Sequence, residues 1–291
     1  MGYGKMTQLG IDTVDPVTKK FDYTGPGVVC EEAFHDGNQL RGTLAHSIER
    51  VRRNNRKIYT PQPMVMEANA GELALLLPWI LGTAAAGNVY ALAETRPTRF
   101  VCQDEVDKVF TYNGVAVNQA RFKGSEGMPL TVELSLIGID EAVGAAATFP
   151  ALSLIDTTGP FMFTDSVWTV GGVTYTPKDI DILIDFQIDD GRFFNSQTLT
   201  AAYPRDRIIT VSTHLPYTAA TAAYNSGPGG VAVVGTFTNG TVSIIFDFVK
   251  VAFPRRTPPV RAKDEILLPL EGQAYKSGST LELVTTLDST V

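Results

Sequence analysis

The stretch from Phe110 to Gly138 (FTYNGVAVNQARFKGSEGMPLTVELSLIG) constrains the fold more than any other part of the chain. In residues 131–136 polar and apolar side chains alternate, which is the period of a β-strand with one buried face. The pair Asn113-Gly114 is typical of a tight hairpin turn, because both central residues of that turn need positive φ. KGSEG at 123–127 predicts a second turn. We therefore predict a three-stranded antiparallel meander with one apolar face.

The charge balance limits the partners that the chain can bind. The sequence has 291 residues, 44% of them hydrophobic, and a formal net charge of -7. Acidic residues outnumber basic ones in both halves, so we do not expect a surface that grips nucleic acid through its phosphates. An acidic surface would instead repel DNA and let it slide past.

No segment of the sequence predicts a membrane or secretory address. The longest apolar run, at 73–81, is too short to span a bilayer and contains Pro78. The N-terminus lacks the apolar core of a signal peptide. We expect a soluble protein made in the cytosol, without a membrane partner, whose two cysteines, Cys30 and Cys102, are free thiols rather than a disulfide.

The N-terminal part of the chain contains two candidate assembly elements. Residues 1–27 are polar and rich in turn residues, and we interpret them as an arm that orders against a neighbour or stays unordered. Asn54-Asn55 predicts a turn between strands at about 39–52 and 56–67. A basic cluster would lie at its tip, as either a solvated hairpin end or a charged arm that docks on a neighbouring subunit. Its members are Arg50, Arg52, Arg53, Arg56 and Lys57.

One helix is predicted over residues 70–81. Asn69 is a suitable N-cap, with Glu72 three residues on, and Gly82 a suitable C-cap. Leucine and isoleucine recur at the spacing of a single helical stripe, which indicates core packing rather than a ligand groove. Pro78 should kink the last turn because it has no N–H to donate.

Two tandem domains follow from the order of the predicted elements. A loose connector near Pro150 separates residues 28–150 from residues 151–291. Each half contains a strand, a helix, an Asn-Gly turn preceded by Phe-Thr, and two further strands. The second helix would cover 219–225. We therefore predict that the second domain duplicates the first, and such units commonly pack side by side in rings.

The sequence contains no recognisable catalytic or metal-binding motif, so we predict neither enzymatic activity nor a cofactor. The densest acidic group lies on a predicted strand from Asp179 to Ile188, in which isoleucines alternate with carboxylates. Asp179, Asp181 and Asp185 would share its polar face. This face is either an ordinary solvated surface or the acidic lining of a pore.

Three stretches together resemble the tail tube (major tail) proteins of long-tailed bacteriophages. The first is RGTLAHSIERV (41–51) with the strand and ELALLLPWILG helix that follow it, and the second is the 110–138 stretch. The third is GRFFNSQTLTAAYPRDR (191–207) with DEILLPLEGQAYKSGSTLELV (264–284). Each is typical of a fold rather than of a reaction.

The resemblance implies a mainly β fold with two tandem β-sandwich or half-barrel tube domains, each with a short flanking helix. Their sheets would join into a closed ring barrel on oligomerisation, and stacked rings would form the virion tail tube, assembled in the host bacterial cytoplasm. DNA would pass down the lumen past Asp179, Asp181 and Asp185. Tape-measure and tail terminator or distal tail proteins would bind the tube ends.

The duplication favours three chains in a pseudo-sixfold ring, with six chains as the alternative. Because the resemblance is to long flexible tails, we expect no contractile sheath. The competing hypothesis is a β-rich receptor- or carbohydrate-binding virion module. Such sites usually expose aromatic residues beside carboxylates, whereas Trp79 and Trp168 are both placed for a core role.

Overall fold

The computed structural model of the chain describes most of its residues. The described ranges are 7–36, 51–82, 87–105, 107–145, 149–154, 159–191, 193, 196–217, 224–225, 227–258 and 266–288. Strand content is 56%, which confirms the predicted mainly β class.

Nineteen strands and one α-helix are found in these residues. The first part contains β1 (Gln8–Asp12), β2 (Lys19–Phe21), β3 (Val29–Asp36), β4 (Val51–Tyr59), β5 (Met64–Glu67), helix α1 (Ala70–Leu81), β6 (Val89–Ala91), β7 (Arg99–Asp104), β8 (Lys108–Ser125) and β9 (Thr131–Gly138). The remainder contains β10 (Asp140–Ala145), β11 (Ser153–Leu154), β12 (Ser166–Val170), β13 (Val173–Tyr175), β14 (Asp179–Asp185), β15 (Ile208–Pro216), β16 (Val231–Asn239), β17 (Val242–Ala252), β18 (Leu267–Ala274) and β19 (Val284–Asp288).

The larger group of strands forms a long antiparallel sheet that folds back over itself. Its order is β3–β4–β9–β8–β14–β15–β18–β17–β16–β12–β13. Strand β5 pairs with the same edge of β9 as β4 does. Strand β19 pairs with β17, and β6 pairs with β19. The described strands do not close into a barrel within a single chain.

A smaller group of strands has the order β11–β2–β1–β7–β8–β10. It includes part of the predicted N-terminal arm. For residues 7–27 this corrects the interpretation as an arm that orders on a neighbour or stays unordered, because they are ordered against their own chain and bury Leu9, Ile11 and Phe21 there. A separate small core forms around Val17, Cys102 and Val109.

Strand β8 belongs to both groups, and this corrects the prediction for Asn113-Gly114. No hairpin turn forms there, because β8 runs on: its first part pairs with β10 and its second part with β9. Gly114 has φ +63°, and the Ile139 N–H donates to the Asn113 carbonyl at 3.0 Å. The pair therefore forms a corner between the two groups. The turn predicted at KGSEG is confirmed, since the chain reverses at Glu126-Gly127 between β8 and β9. The predicted meander is therefore two strands rather than three.

The predicted turn at Asn54-Asn55 is also wrong. Both residues lie inside β4, which pairs antiparallel with β3. Asn55 pairs with Ala33 and Arg53 pairs with Phe34, so Asn54 is an extra residue that shifts the register of the ladder. The basic cluster therefore follows a strand rather than occupying a turn. Most of the strand predicted at 39–52, together with Arg50, lies outside the described residues.

Helix α1 confirms its predicted bounds and both caps. The Asn69 side chain accepts a hydrogen bond from the Glu72 N–H at 2.8 Å, and Gly82 is left-handed with φ 84°. The indole of Trp79 is buried and donates to the Val115 carbonyl at 3.0 Å. The helix is thereby fixed on the corner of β8.

Arg96 closes the C-terminal end of α1, whose last turn has no basic residue of its own. Its guanidinium donates to the carbonyls of Ile80 (2.6 Å), Leu81 (3.0 Å) and Ala93 (2.6 Å). It also lies 3.8 Å from the ring centroid of Phe186, just beyond β14. Burial lowers the pKa of Arg96 to about 10. The arrangement satisfies helix carbonyls that would otherwise lack donors.

A single large hydrophobic core contains residues from both sides of Pro150. The ring centroids of Phe122 on β8 and Phe246 on β17 are 4.9 Å apart. In the β8–β14 ladder Phe122 pairs with Ile182, so β8 contacts strands that follow Pro150 in two ways. The division into two domains stays a prediction, as does the duplication. The chain turns between β16 and β17 at Gly240-Thr241, directly after Asn239, whereas the counterpart Asn-Gly pair at 113–114 forms no hairpin turn. Of the predicted second helix, residues 219–223 lie outside the described residues, and residues 224–225 are helical.

Candidate functional site

Six neighbouring strands present one continuous polar face. Strands β5, β9, β8, β14, β15 and β18 lie side by side in register, and their side chains alternate between the core and this face. On β14 the residues Ile180, Ile182 and Ile184 are buried, as predicted. Asp179, Asp181 and Asp185 consequently point to the opposite side, because successive strand residues face opposite ways.

Asp181 is paired with Arg121 on the adjacent strand. The Arg121 Nε donates to Asp181 Oδ1 at 2.7 Å, and Nη2 donates to Oδ2 of the same carboxylate. From the other side, Glu133 Oε2 lies 3.8 Å from Arg121 Nη1. The hydrogen bond with Asp181 raises the pKa of Arg121 above its usual value, with further help from the charges of both carboxylates. The guanidinium of Arg121 is thus held between a carboxylate of β14 and a carboxylate of β9.

The other two aspartates of the face also have partners on neighbouring strands. Asp185 Oδ2 accepts from Gln119 Nε2 at 3.0 Å. Asp179 lies beside the His214 ring, with Nδ1 at 2.9 Å from both carboxylate oxygens, and accepts from the His214 backbone N–H. All three predicted residues therefore share one surface, while their partners are contributed by β8 and β15.

The polar face carries more acid than base. Cross-strand partners lie on the same side of a sheet, so the register places the neighbours of each aspartate. The acidic members are Glu67, Glu133, Asp179, Asp181, Asp185 and Glu271, and the basic ones are Arg121 and Lys123. The face is net negative, as the pore-lining interpretation requires.

The described members of the basic cluster lie on β4, outside the six strands of this face. Arg56 forms ion pairs with Asp140 (3.2 Å) and Glu141 (3.1 Å) of β10, and Glu32 lies at 3.6 Å. Lys57 pairs with Asp190 at 3.0 Å. These contacts cannot be predicted from the sequence, because the carboxylates of β10 are more than eighty residues from Arg56 and no local pattern links them to β4. Arg52 and Arg53 occupy neighbouring positions of the same strand.

Both cysteines are free thiols, as predicted. Cys102 is buried, and burial raises its pKa. Cys30 is half-buried and lies 3.1 Å from Arg56 Nε; burial raises its pKa, although the hydrogen bond with Arg56 opposes this. Neither thiol has the lowered pKa of a reactive cysteine.

Within the described residues, no group of three or more His, Cys, Asp or Glu side chains is arranged to hold a metal ion. In the same part of the chain, no helix is long and apolar enough to cross a bilayer. Trp79 and Trp168 are both buried, as predicted.

The chain has a mainly β fold, and six of its strands share a net acidic polar face. A family model described as phage tail tube protein matches residues 63–274, which is more than two thirds of the chain. The chain therefore belongs to the phage tail tube protein family, and the resemblance found in the sequence is confirmed. Membership makes it a structural component of the virion tail rather than a member of an enzyme class. A comparison with curated proteins gives no significant match.

Proposed function

We propose that the chain assembles into stacked rings that form a hollow tail tube, with the polar face lining the lumen through which DNA leaves the virion. The observation that carries this proposal is the continuous net acidic face over β5, β9, β8, β14, β15 and β18. Family membership supports self-association into a tube.

An acidic lumen suits the passage of DNA. The duplex carries one phosphate charge for about every 1.7 Å of its axis, and proteins bind it mainly by neutralising those charges with Lys and Arg. A wall dominated by Asp179, Asp181 and Asp185 repels the phosphates at every ring. DNA is therefore kept from adhering to the wall while it moves.

Ring closure would use the ends of the sheet. Among the described strands, β3 pairs with β4 and β13 pairs with β12, which leaves the other edge of each available. Unpaired edges favour association with another chain, and joining neighbouring subunits at such edges would turn open sheets into a closed barrel. We propose three chains in a pseudo-sixfold ring; six chains would form the same tube without the duplication.

We assign contacts between successive rings to residues 1–27 and to the basic cluster Arg50, Arg52, Arg53, Arg56 and Lys57. Because β1 and β2 are paired within their own chain, this segment would contact the next ring through exposed positions such as residues 13–16. Arg56 and Lys57 already hold ion pairs within their own chain, so their role would be to fix the shape of the β3–β4 ribbon that reaches the next ring. The tube ends would meet tape-measure and tail terminator or distal tail proteins, after assembly in the host bacterial cytoplasm.

The lumen assignment is tested by reversing charge on the polar face. Phage whose tubes carry Asp179→Lys with Asp181→Lys should build tubes of normal length but release DNA poorly. A matched control, Asp107→Lys with Asp165→Lys, makes the same charge change at two exposed positions that lie outside both the polar face and residues 1–27. Normal DNA release by the first variant, or equal impairment by both, would show that the face does not line the lumen.

A further inference from the structure

We propose that Arg121 is a latent phosphate-binding residue, which Asp181 and Glu133 keep from capturing DNA. This inference rests on the proposed function for its place in the tube, but its chemistry can be tested on the purified chain. The polar face would then bind DNA weakly for two reasons: its net charge is negative, and the guanidinium of Arg121 is already paired with Asp181 and Glu133.

The geometry shows how completely Arg121 is engaged. Its side chain is 41% exposed, so it is within reach of a ligand on the polar face. The Nε and Nη2 groups nevertheless form a fork on the Asp181 carboxylate, and Nη1 is directed towards Glu133. Asp181 and Glu133 are themselves only 26% and 19% exposed, and they approach from strands on opposite sides of β8. The guanidinium is thus held on the polar face between two carboxylates from the strands on either side of β8.

The same fork is the one that would hold a phosphate. Guanidinium groups bind carboxylate and phosphate oxygens with the same two parallel N–H donors. Asp181 therefore occupies the donors that a DNA phosphate would need. Because Asp181 is already in place on the next strand, a phosphate must displace it and also approach Glu133, which repels it.

Lys123 is the other cation that the six strands place on the polar face, and its ammonium group binds phosphate differently from the guanidinium of Arg121. It is exposed, and it lies directly opposite Asp181 in the β8–β14 ladder. An ammonium group is a compact point charge without the fork of a guanidinium. Lys123 contributes an ordinary salt-dependent attraction that the surrounding carboxylates offset, so the tight capture of a phosphate is assigned to Arg121 alone.

The experiment measures binding of a short fluorescent DNA duplex to the purified, unassembled full chain by anisotropy over a series of salt concentrations. Asp181→Asn with Glu133→Gln removes both clamping charges and frees the guanidinium. The matched control, Asp179→Asn with Asp185→Asn, removes the same charge from the same face and leaves the Arg121 pairs intact. A third variant adds Arg121→Gln to the first pair.

We expect the first variant to bind DNA about tenfold more tightly than the control, which corresponds to one charge-assisted hydrogen bond. Its affinity should fall more steeply with salt, by about 0.9 in logarithmic slope for each phosphate contacted. Adding Arg121→Gln should return binding to the level of the control.

Equal gains in both charge-removed variants, or a gain that survives Arg121→Gln, would overturn the proposal in favour of net charge alone. Circular dichroism checks the fold of each protein, and Asp181→Asn alone gives the same comparison if the double variant does not fold. Because the assay needs no tubes, its outcome is separate from that of the assembly and DNA-release experiments.

Discussion

The shared core makes a prediction about how the chain unfolds. Phe122 is fully buried and packs its ring 4.9 Å from that of Phe246 at an interplanar angle of 59°. Truncating a buried phenylalanine to alanine costs about 3–5 kcal/mol, of which an aromatic pair supplies about 0.5–1.5 kcal/mol. Because the two rings come from opposite sides of Pro150, Phe122→Ala should destabilise both halves together.

The two tryptophans allow each half to be followed separately. Trp79 lies in α1 and Trp168 in β12, and both are buried. Urea unfolding of the unassembled chain would be monitored by fluorescence in Trp79→Phe and Trp168→Phe backgrounds, so that one indole reports at a time. Both reporters should show one transition at the same midpoint, and Phe122→Ala should lower that midpoint equally in each.

Val143→Ala serves as the control, since this side chain on β10 is 56% exposed and its loss should change stability by no more than about 0.5 kcal/mol. If the Trp79 transition moved while the Trp168 transition stayed in place, the halves would unfold independently. That result would refute the argument from a shared core and favour the two-domain division predicted from the sequence.

Two further substitutions test the corner of β8 and the end of α1. Gly114→Ala should destabilise by about 1–3 kcal/mol, because φ is +63° and a Cβ would lie 2.6 Å from Ile139 Cδ1. Gly127→Ala is the control, because Gly127 also has positive φ but has open space around it, so it should lose only the free energy of the strained backbone. Equal losses of unfolding free energy in urea for the two variants would argue against close packing at the corner. Arg96→Met should lower the free energy of unfolding by about 2–3 kcal/mol, because it leaves the carbonyls at the end of α1 without donors. Arg96→Lys should restore only part of this stability, since an ammonium lacks the paired N–H groups of a guanidinium; full restoration would contradict that explanation.

Local chemistry explains which parts of the fold could be predicted. Helix α1 was bounded correctly because Asn69 and Gly82 act within one turn of the helix ends. The turn between β12 and β13 is of the same local kind, because Gly171 and Gly172 both have positive φ. The burial of Ile180, Ile182 and Ile184 followed from alternation alone.

Long-range pairing explains the failures. Gly114 does adopt positive φ, as the Asn-Gly pair requires, but β9 and β10 follow β8 across the corner and keep the strand extended. The sequence around Asn54-Asn55 equally suits a turn or an irregularity in a ladder. Only the pairing of β4 with β3 decides between them. Such choices depend on partners that are distant in the chain.

The candidate site was predicted only in part for the same reason. Alternation placed Asp179, Asp181 and Asp185 on one face, yet it gave no indication of Arg121, which is sixty residues from Asp181. Their position in the lumen, and the stacking role of the basic cluster, stay predictions that depend on neighbouring subunits.

The central claim is tested most directly by electron microscopy of the purified, assembled protein at a resolution that traces the chain. The account predicts hollow tubes of stacked rings, with Asp179, Asp181, Asp185 and Arg121 facing the lumen and three chains in each ring. Rings of six chains would retain the tube and reject the duplication. Compact particles that do not stack, or tubes with this face turned outward, would contradict the account.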